Sequence, residues 1–179
     1  KTRYVHETTN HTFLRIDTPH VVQPLTEDQI SLDYDVIVIS DYNKGCISYE
    51  LVEQVLQQFR GPVFIDTKKT DLERFQGAWV KVNELEYSRL SSECSGLIVT
   101  LGERGAKVPH HDIECSTKAV EVMDVCGCGD TFLAALTAQY LFTKDIEKAI
   151  IFANVAAGIT VQHRGNYAPS YDEIRIAGY

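Results

Sequence analysis

The sequence has 179 residues, 44% of them apolar and 23% charged, a balance that suits one domain with a sizeable core. Its net charge of −8 repels polyanions and so argues against nucleic-acid and anionic-membrane partners, yet a few local donors can still hold a phosphate. No apolar run reaches the length of a membrane span and no signal-peptide pattern opens the chain, while five cysteines in no disulfide spacing (Cys46, Cys94, Cys115, Cys126, Cys128) predict free thiols in a reducing cytoplasm.

The chain opens at Lys1, without an initiator Met and directly in strand-like sequence, so a fragment or processed product is expected. Thr2–Glu7 and Thr12–Asp17 are β-rich around Thr-Asn-His and predict a hairpin, followed by a loop with Pro19 and Pro24. Asp35–Ser40 (DVIVIS) is a continuous apolar run, as expected for a parallel strand covered on both faces. Ser48 can cap a helix to about Phe59, with Leu51, Val52, Val55, Leu56 and Phe59 on one face and Gly61-Pro62 as its stop. Val63–Asp66, Trp79–Asn83, Leu97–Leu101 and Ala119–Asp124 predict further strands, and Asp130–Phe142 and Asp145–Gln162 predict two helices. Strands alternating with helices predict a single α/β domain over 1–179 with a largely parallel sheet, whose ligands sit at the carboxyl ends of the strands.

The strongest chemical signal is Asp124-Val-Cys-Gly-Cys-Gly-Asp130-Thr-Phe, a small-residue loop between a strand and a long helix. Gly127 and Gly129 allow close backbone approach, and the helix N-terminus offers free amides and the positive end of a macrodipole. Taken alone, the pattern leaves two readings open: a phosphate site with Asp130 as a base at its mouth, or a turn with Asp130 as a simple helix cap. Asn83 and Glu86 likewise read either as ligand-side groups or as the start of a helix. Lys44 reads as a substrate contact or a solvated loop lysine, and Lys68-Lys69 as surface charge. Cys126-x-Cys128 has no second Cys or His pair, and His6, His11, His20, His110, His111 and His163 are scattered, so no zinc site is expected. The Gly-x-Gly lies late in the chain and lacks the third glycine of a dinucleotide fingerprint.

That segment resembles the D-T-x-G-A-G-D signature of the ribokinase-like (PfkB) carbohydrate kinase family. Other strand ends continue the resemblance in order. Ser40-Asp41-Tyr42-Asn43-Lys44-Gly45 and Asp66-Thr67-Lys68 are similar to the S-D-Y-x-K-G and D-P-K of its bacterial heptose-phosphate kinases. Asn83-Glu84-Leu85-Glu86 is similar to the family's N-x-x-E, Thr100-Leu101-Gly102-Glu103-Arg104-Gly105 to T-L-G-E-x-G, and Ala153-Asn154 with Ala156-Ala157-Gly158 to the A-N-x-A-A-G helix. Lys1–Arg3 and Leu14–Asp17 resemble the strands before them.

The resemblance implies a three-layer ribokinase-like, Rossmann-type fold without its N-terminal part, residues 1–17 being a hairpin remnant of the lid. It implies ATP-dependent phosphorylation of a sugar or sugar phosphate, closest to a heptose 7-phosphate of lipopolysaccharide core biosynthesis. By the same resemblance Asp130 is the catalytic base, and Gly127, Cys128 and Gly129 form an anion hole. Thr100, Gly102, Gly105 and Asn154 lie along the nucleotide, and Asn83 and Glu86 organise Mg²⁺. Lys44 contacts substrate, and Asp124 with the 165–170 loop holds a monovalent cation such as K⁺. The family's sugar-contacting segment has no counterpart here, the stretch between Asn83 and Leu97 is short, and Cys126 and Cys128 replace Thr and Ala. A chain of this length is therefore expected to need a complementing N-terminal half or a second copy, and to phosphorylate no sugar alone. A non-catalytic nucleotide-binding remnant or half of a split kinase is the alternative function; a nicotinamide-dependent oxidoreductase fits less well, because it needs neither Asp130 nor N-x-x-E.

Overall fold

The computed structural model describes residues 2–9, 11–18 and 22–179; Lys1, Asn10 of the predicted turn, Pro19 and His20 lie outside the described residues. An antiparallel ribbon comes first, β1 (Thr2–Val5) against β2 (Thr12–Ile16). Its side chains are exposed on both faces, Phe13 most of all at 67%. The rest of the chain builds a six-stranded sheet in sequence order: β3 (Ile37–Asp41), β4 (Val63–Thr67), β5 (Trp79–Asn83), β6 (Leu97–Thr100), β7 (Ala106–Val108) and β8 (Ile113–Cys115). The first three pairings are parallel and the last two antiparallel.

Side-chain alternation sets the layers. Helix α1 (Tyr49–Gln58) starts where Ser48 Oγ accepts the Leu51 N–H at 3.0 Å. Val63 and Ile65, Val80 and Val82, and Leu97 and Val99 face one side of the sheet, where they meet Val52, Val55 and Phe59 of α1 and its carboxyl cap. Between the layers' ends sits the single turn α2 (Glu84–Tyr87). Phe64 and Ile98 face the other side, against Phe132, Leu133 and Leu136 of helix α3 (Cys128–Thr143) and Ile150 and Ala153 of α4 (Ile146–Thr160). Both faces are covered, so these strands read as unbroken apolar runs in sequence. Each such buried side chain stabilises the fold by about 1.5–3 kcal/mol. Helices α3 and α4 are apolar nearly all round, since each packs on the other as well as on the sheet side. Among the described residues no helix is long and apolar enough to cross a membrane.

The predicted strand at Ala119–Asp124 does not form. The β7–β8 hairpin takes that edge of the sheet instead, and residues 116–124 leave it. Val122 and Met123 stand 57% and 56% exposed, and the segment is tied back by the Met123 and Asp124 N–H groups on the Val161 carbonyl. Its apolar residues wall a pocket rather than fill a core. The hairpin escapes a reading of periodicity because its strands are three residues each.

Gly105 opens that hairpin with φ +92°, and a Cβ there would lie 2.0 Å from the Cys115 carbonyl oxygen. Gly105→Ala is expected to destabilise the protein by about 1–3 kcal/mol from the backbone alone, and more from the clash, as read by urea unfolding.

The C-terminal helix α5 (Tyr171–Ile176) is held by one carboxylate. Glu173 accepts the Tyr167 hydroxyl on one oxygen and the Ser170 N–H and hydroxyl on the other. These bonds, Tyr167 first and then Ser170, lower its pKa from 4.5 to about 2. A depressed folded pKa stabilises fully above the unfolded value of 4.5, and that stability is lost as pH falls towards about 2. Protection of 165–179 from limited proteolysis should fall over that window in wild type, and Glu173→Gln should remove the pH dependence.

Candidate active site

The parallel strands all end on the side where α3 begins, as expected for a ligand site in an open α/β sheet. Gly127 is the N-cap of α3, in the left-handed region at φ 78°, and the helix starts at Cys128. Asp130 is thus its third residue rather than its cap, and its exposed carboxylate is not spent on capping. The Cys128 N–H reaches back to Val125 O at 3.4 Å and the Thr131 N–H to Gly127 O at 2.8 Å. Among the described residues, the N–H groups of Gly127, Gly129 and Asp130 donate to no carbonyl. The amides without a carbonyl acceptor are therefore those of Gly127, Gly129 and Asp130, the Gly129 N–H also lying against the Cys128 thiol. Burial pushes the Cys128 thiol up, against the pull of nearby Lys81.

A polar cavity of about 140 Å³ opens in front of these amides, lined among others by Ser40, Asp66, Lys68, Lys81, Glu86 and Asp130. Asn83 and Glu86 also line it and form a reciprocal capping box on α2. The Glu86 N–H donates to Asn83 Oδ1 and the Asn83 N–H to Glu86 Oε2, each at 2.8 Å. The helix-start reading of N-x-x-E is seen directly: the cap fixes Glu86, whose Oε1 takes Lys68 Nζ at 2.6 Å. Burial pushes the Glu86 carboxyl up, but the Asn83 N–H and the Lys68 ammonium outweigh it and leave the group below the usual carboxylate range. Asp66 goes the other way: burial raises its pKa despite Lys81, and Glu86 and Asp130 add to the rise.

A second cavity, of about 230 Å³, lies on the other side of Gly129. Ala119, Val120, Val122, Val125, Ala157 and Val161 give it apolar walls. Thr100, Gly102, Gly105 and Asn154 line it too, so the four residues predicted along a nucleotide come together. Asn154 is 7% exposed and donates from Nδ2 to Cys115 O at 3.0 Å, which pins the end of β8 to α4. Gly129 borders both cavities, so a flat apolar group in one can continue into an anion held before the free amides.

Other predicted positions fall differently. Lys44 is exposed and does not line the polar cavity; Tyr42, two residues earlier, does. Lys69 is not surface charge: it is 6% exposed, 3.4 Å from Asp41 Oδ2, and donates to Asn43 Oδ1 at 3.1 Å. Thr67 Oγ1 also donates to Asp41 at 3.0 Å, and this network fixes the loop after β3. Asp124 accepts the Cys126 N–H on Oδ1 and the Gly165 N–H on Oδ2, both at 2.9 Å. The Gly165 and Cys126 N–H groups hold its carboxyl below the ordinary value, and the carboxylate clasps the 165–170 loop to the glycine turn. Lys81 lines the polar cavity without being singled out in the sequence, and Asp66, also in its lining, stands out there only through the Asp66-Thr67-Lys68 resemblance. A signal for Lys81 is present: a lone cation inside the apolar strand Trp-Val-Lys-Val demands a buried partner. Among the described residues no group of three or more His, Cys, Asp or Glu is arranged to hold a metal by itself. A magnesium ion, which keeps waters and shares phosphate oxygens, needs only one or two carboxylates, and Glu86 and Asp66 both line this cavity.

Comparison with known proteins gives the lineage. The chain is 34% identical over 169 residues to the bifunctional protein HldE of a Nitratiruptor species, a match that covers 82% of this chain and 36% of that protein. The HldE of Pasteurella multocida is 32% identical over 195 residues, covering 92% of this chain and 41% of the relative. The chain thus spans well under half the length of the curated relatives it matches. Among solved structures, Escherichia coli phosphofructokinase-2 in complex with potassium superposes with a TM-score of 0.75 at 18% identity, covering 96% of this chain and 67% of that one. This likeness shows the ribokinase-like α/β fold. Residues 48–173, which run from the cap of α1 to the Glu173 clasp, match the model of the pfkB family carbohydrate kinases, and the chain belongs to that family.

Proposed function

We propose that this chain is the nucleotide-binding part of an ATP-dependent sugar kinase whose acceptor is a sugar phosphate of the heptose 7-phosphate kind. The observation that carries the reading is the junction at Gly129, where an apolar slot and a charged cavity meet before free helix amides with Asp130 at the mouth. The slot suits a purine, and the Gly127, Gly129 and Asp130 amides suit polyphosphate. Asp130 is the base: it accepts the proton of the attacking sugar hydroxyl as that oxygen bonds to the γ-phosphorus and the bond to the leaving ADP breaks. The loop amides and the lysine side chains offset charge on the transferring group, in a preorganised setting that costs no rearrangement. Magnesium, when bound, neutralises phosphate charge, with Glu86, Asn83 and Asp66 holding its waters. Asp124 is the candidate for a monovalent cation, since two N–H bonds leave lone pairs free on both carboxylate oxygens. The heptose preference rests on the likeness to HldE proteins and on Ser40–Gly45. The same reading locates the protein in the cytoplasm and expects a complementing segment or second copy beside the edge strand β3, where Val38 is 46% exposed.

Two variants test this. Gly129→Val should abolish nucleotide binding by calorimetry, because even a Cβ there would lie 3.1 Å from Lys81 Nζ; affinity equal to wild type would remove the anion site from this loop. Asp130→Asn should keep ATP affinity within about twofold, while ADP release driven by heptose 7-phosphate falls about a hundredfold or more. Full turnover in Asp130→Asn would reduce that residue to part of the helix start.

A further inference from the structure

Lys81 stands at the middle of the sheet with both neighbouring strands paired to it, Asp66 on β4 and Ile98 on β6. Its residue is 6% exposed, which is rare for a lysine and costly unless the ammonium is compensated. Alternation puts Val80 and Val82 on the α1 face and Lys81 on the α3 face, directly under the first turn of α3. The ammonium has three donors. Among the described residues one acceptor lies within hydrogen-bond distance, Asp66 Oδ2 at 2.7 Å. Two donors are left over, in a group that lines the polar cavity. What separates the ammonium from the loop is a missing side chain: a Cβ on Gly129 would stand 3.1 Å from Nζ.

We propose that Lys81 holds the terminal phosphoryl group of the nucleotide from inside the sheet, reaching it through the gap left by Gly129, with Asp66 as the counter-ion that keeps the buried ammonium in place. The assignment rests on the kinase reading above. Lys81 lines the cavity that contains Asp130 and not the apolar slot, so the phosphate it meets is the one nearest the base. Asp66 sits directly opposite on the neighbouring strand, so the pair is set by strand register and needs no loop to order it. A phosphate arriving before the glycine turn takes the two spare donors without breaking the bond to Asp66. Lys68 differs: its side chain is 50% exposed and it is tied to Glu86 at the rim.

Calorimetric titration of ATP and ADP, both with Mg²⁺, into wild type, Lys81→Met and the double variant Asp66→Asn/Lys81→Met decides the matter. Wild type should bind ATP more tightly than ADP. Lys81→Met should lose about tenfold or more in ATP affinity while ADP changes about twofold at most, the size expected for a charge-assisted bond made by one phosphate. The double variant guards against a folding defect, because removing both charges avoids the stranded carboxylate of the single change. It should fold and still lack the preference for ATP. A double variant that regains the wild-type preference, or a wild type with no preference, overturns the assignment and makes Lys81 a structural partner of Asp66. Wild-type protein that binds neither nucleotide overturns the kinase reading and this assignment together.

Discussion

Helix α3 starts where the parallel strands stop, so the free amides of its first turn and the side chains of Ser40, Asp66, Lys81 and Asn83 face one space. That placement has a cost that the rest of the fold offsets. Strand ends with charged side chains and a helix start with free N–H groups are all poorly satisfied without water or ligand. The layers on either side make the arrangement tolerable: α1 seals one face of the sheet, and α3 and α4 seal the other. Gly127 and Gly129 keep the junction open where any side chain would meet Asn166 or Lys81.

Two buried ion pairs carry the electrostatics of this floor. Asp41 with Lys69 lies on the α1 face, and Asp66 with Lys81 on the α3 face. The desolvation of such pairs can exceed their attraction, so neither is an efficient way to stabilise a sheet. Asp41 makes up for this with Thr67 and the Asn43 N–H, a fully used carboxylate that sets one loop conformation. Asp66 and Lys81 lack comparable extra partners, and burial still raises the Asp66 pKa against the attraction of Lys81. A pair less well satisfied than its neighbour, and open to a cavity, has the features of a group kept for a ligand.

Much of this is legible in sequence because the strands are covered on both faces. Val63–Thr67, Trp79–Asn83 and Leu97–Thr100 are apolar runs bounded by loops, and those limits match the predicted ones to within a residue. The glycine turn with Asp130 is legible as well, since its chemistry is local. Three-residue strands with a glycine bend are not, which is why Ala106–Cys115 gives no strand signal while the exposed 119–124 segment gives a false one. Charge is harder to read. Lys44, Lys68, Lys69 and Lys81 look alike in a string of letters, and their fates depend on register: Lys81 and Asp66 are neighbours only because β4 and β5 pair as they do. Asp124 stands out in the sequence only through the family resemblance, and the loop it clasps lies forty-one residues away and is a tertiary fact.

The charge count in the polar cavity bears on what the site is for. Asp41, Asp66, Glu86 and Asp130 line it with Lys68 and Lys81, so carboxylates outnumber ammonium groups four to two; Lys69, behind the wall, answers Asp41. A site evolved merely to retain phosphate would gain by losing Asp130, which is exposed beside the free amides and repels an anion there. Keeping it makes sense where an anion must be held and a proton removed a few ångströms away. The same excess of carboxylates makes a divalent cation the natural companion of any polyphosphate entering the cavity, because the helix amides supply about half a charge and two lysines are already paired. The electrostatics therefore favour a transfer site over a passive nucleotide pocket, and they do so through Asp130 rather than through the glycines.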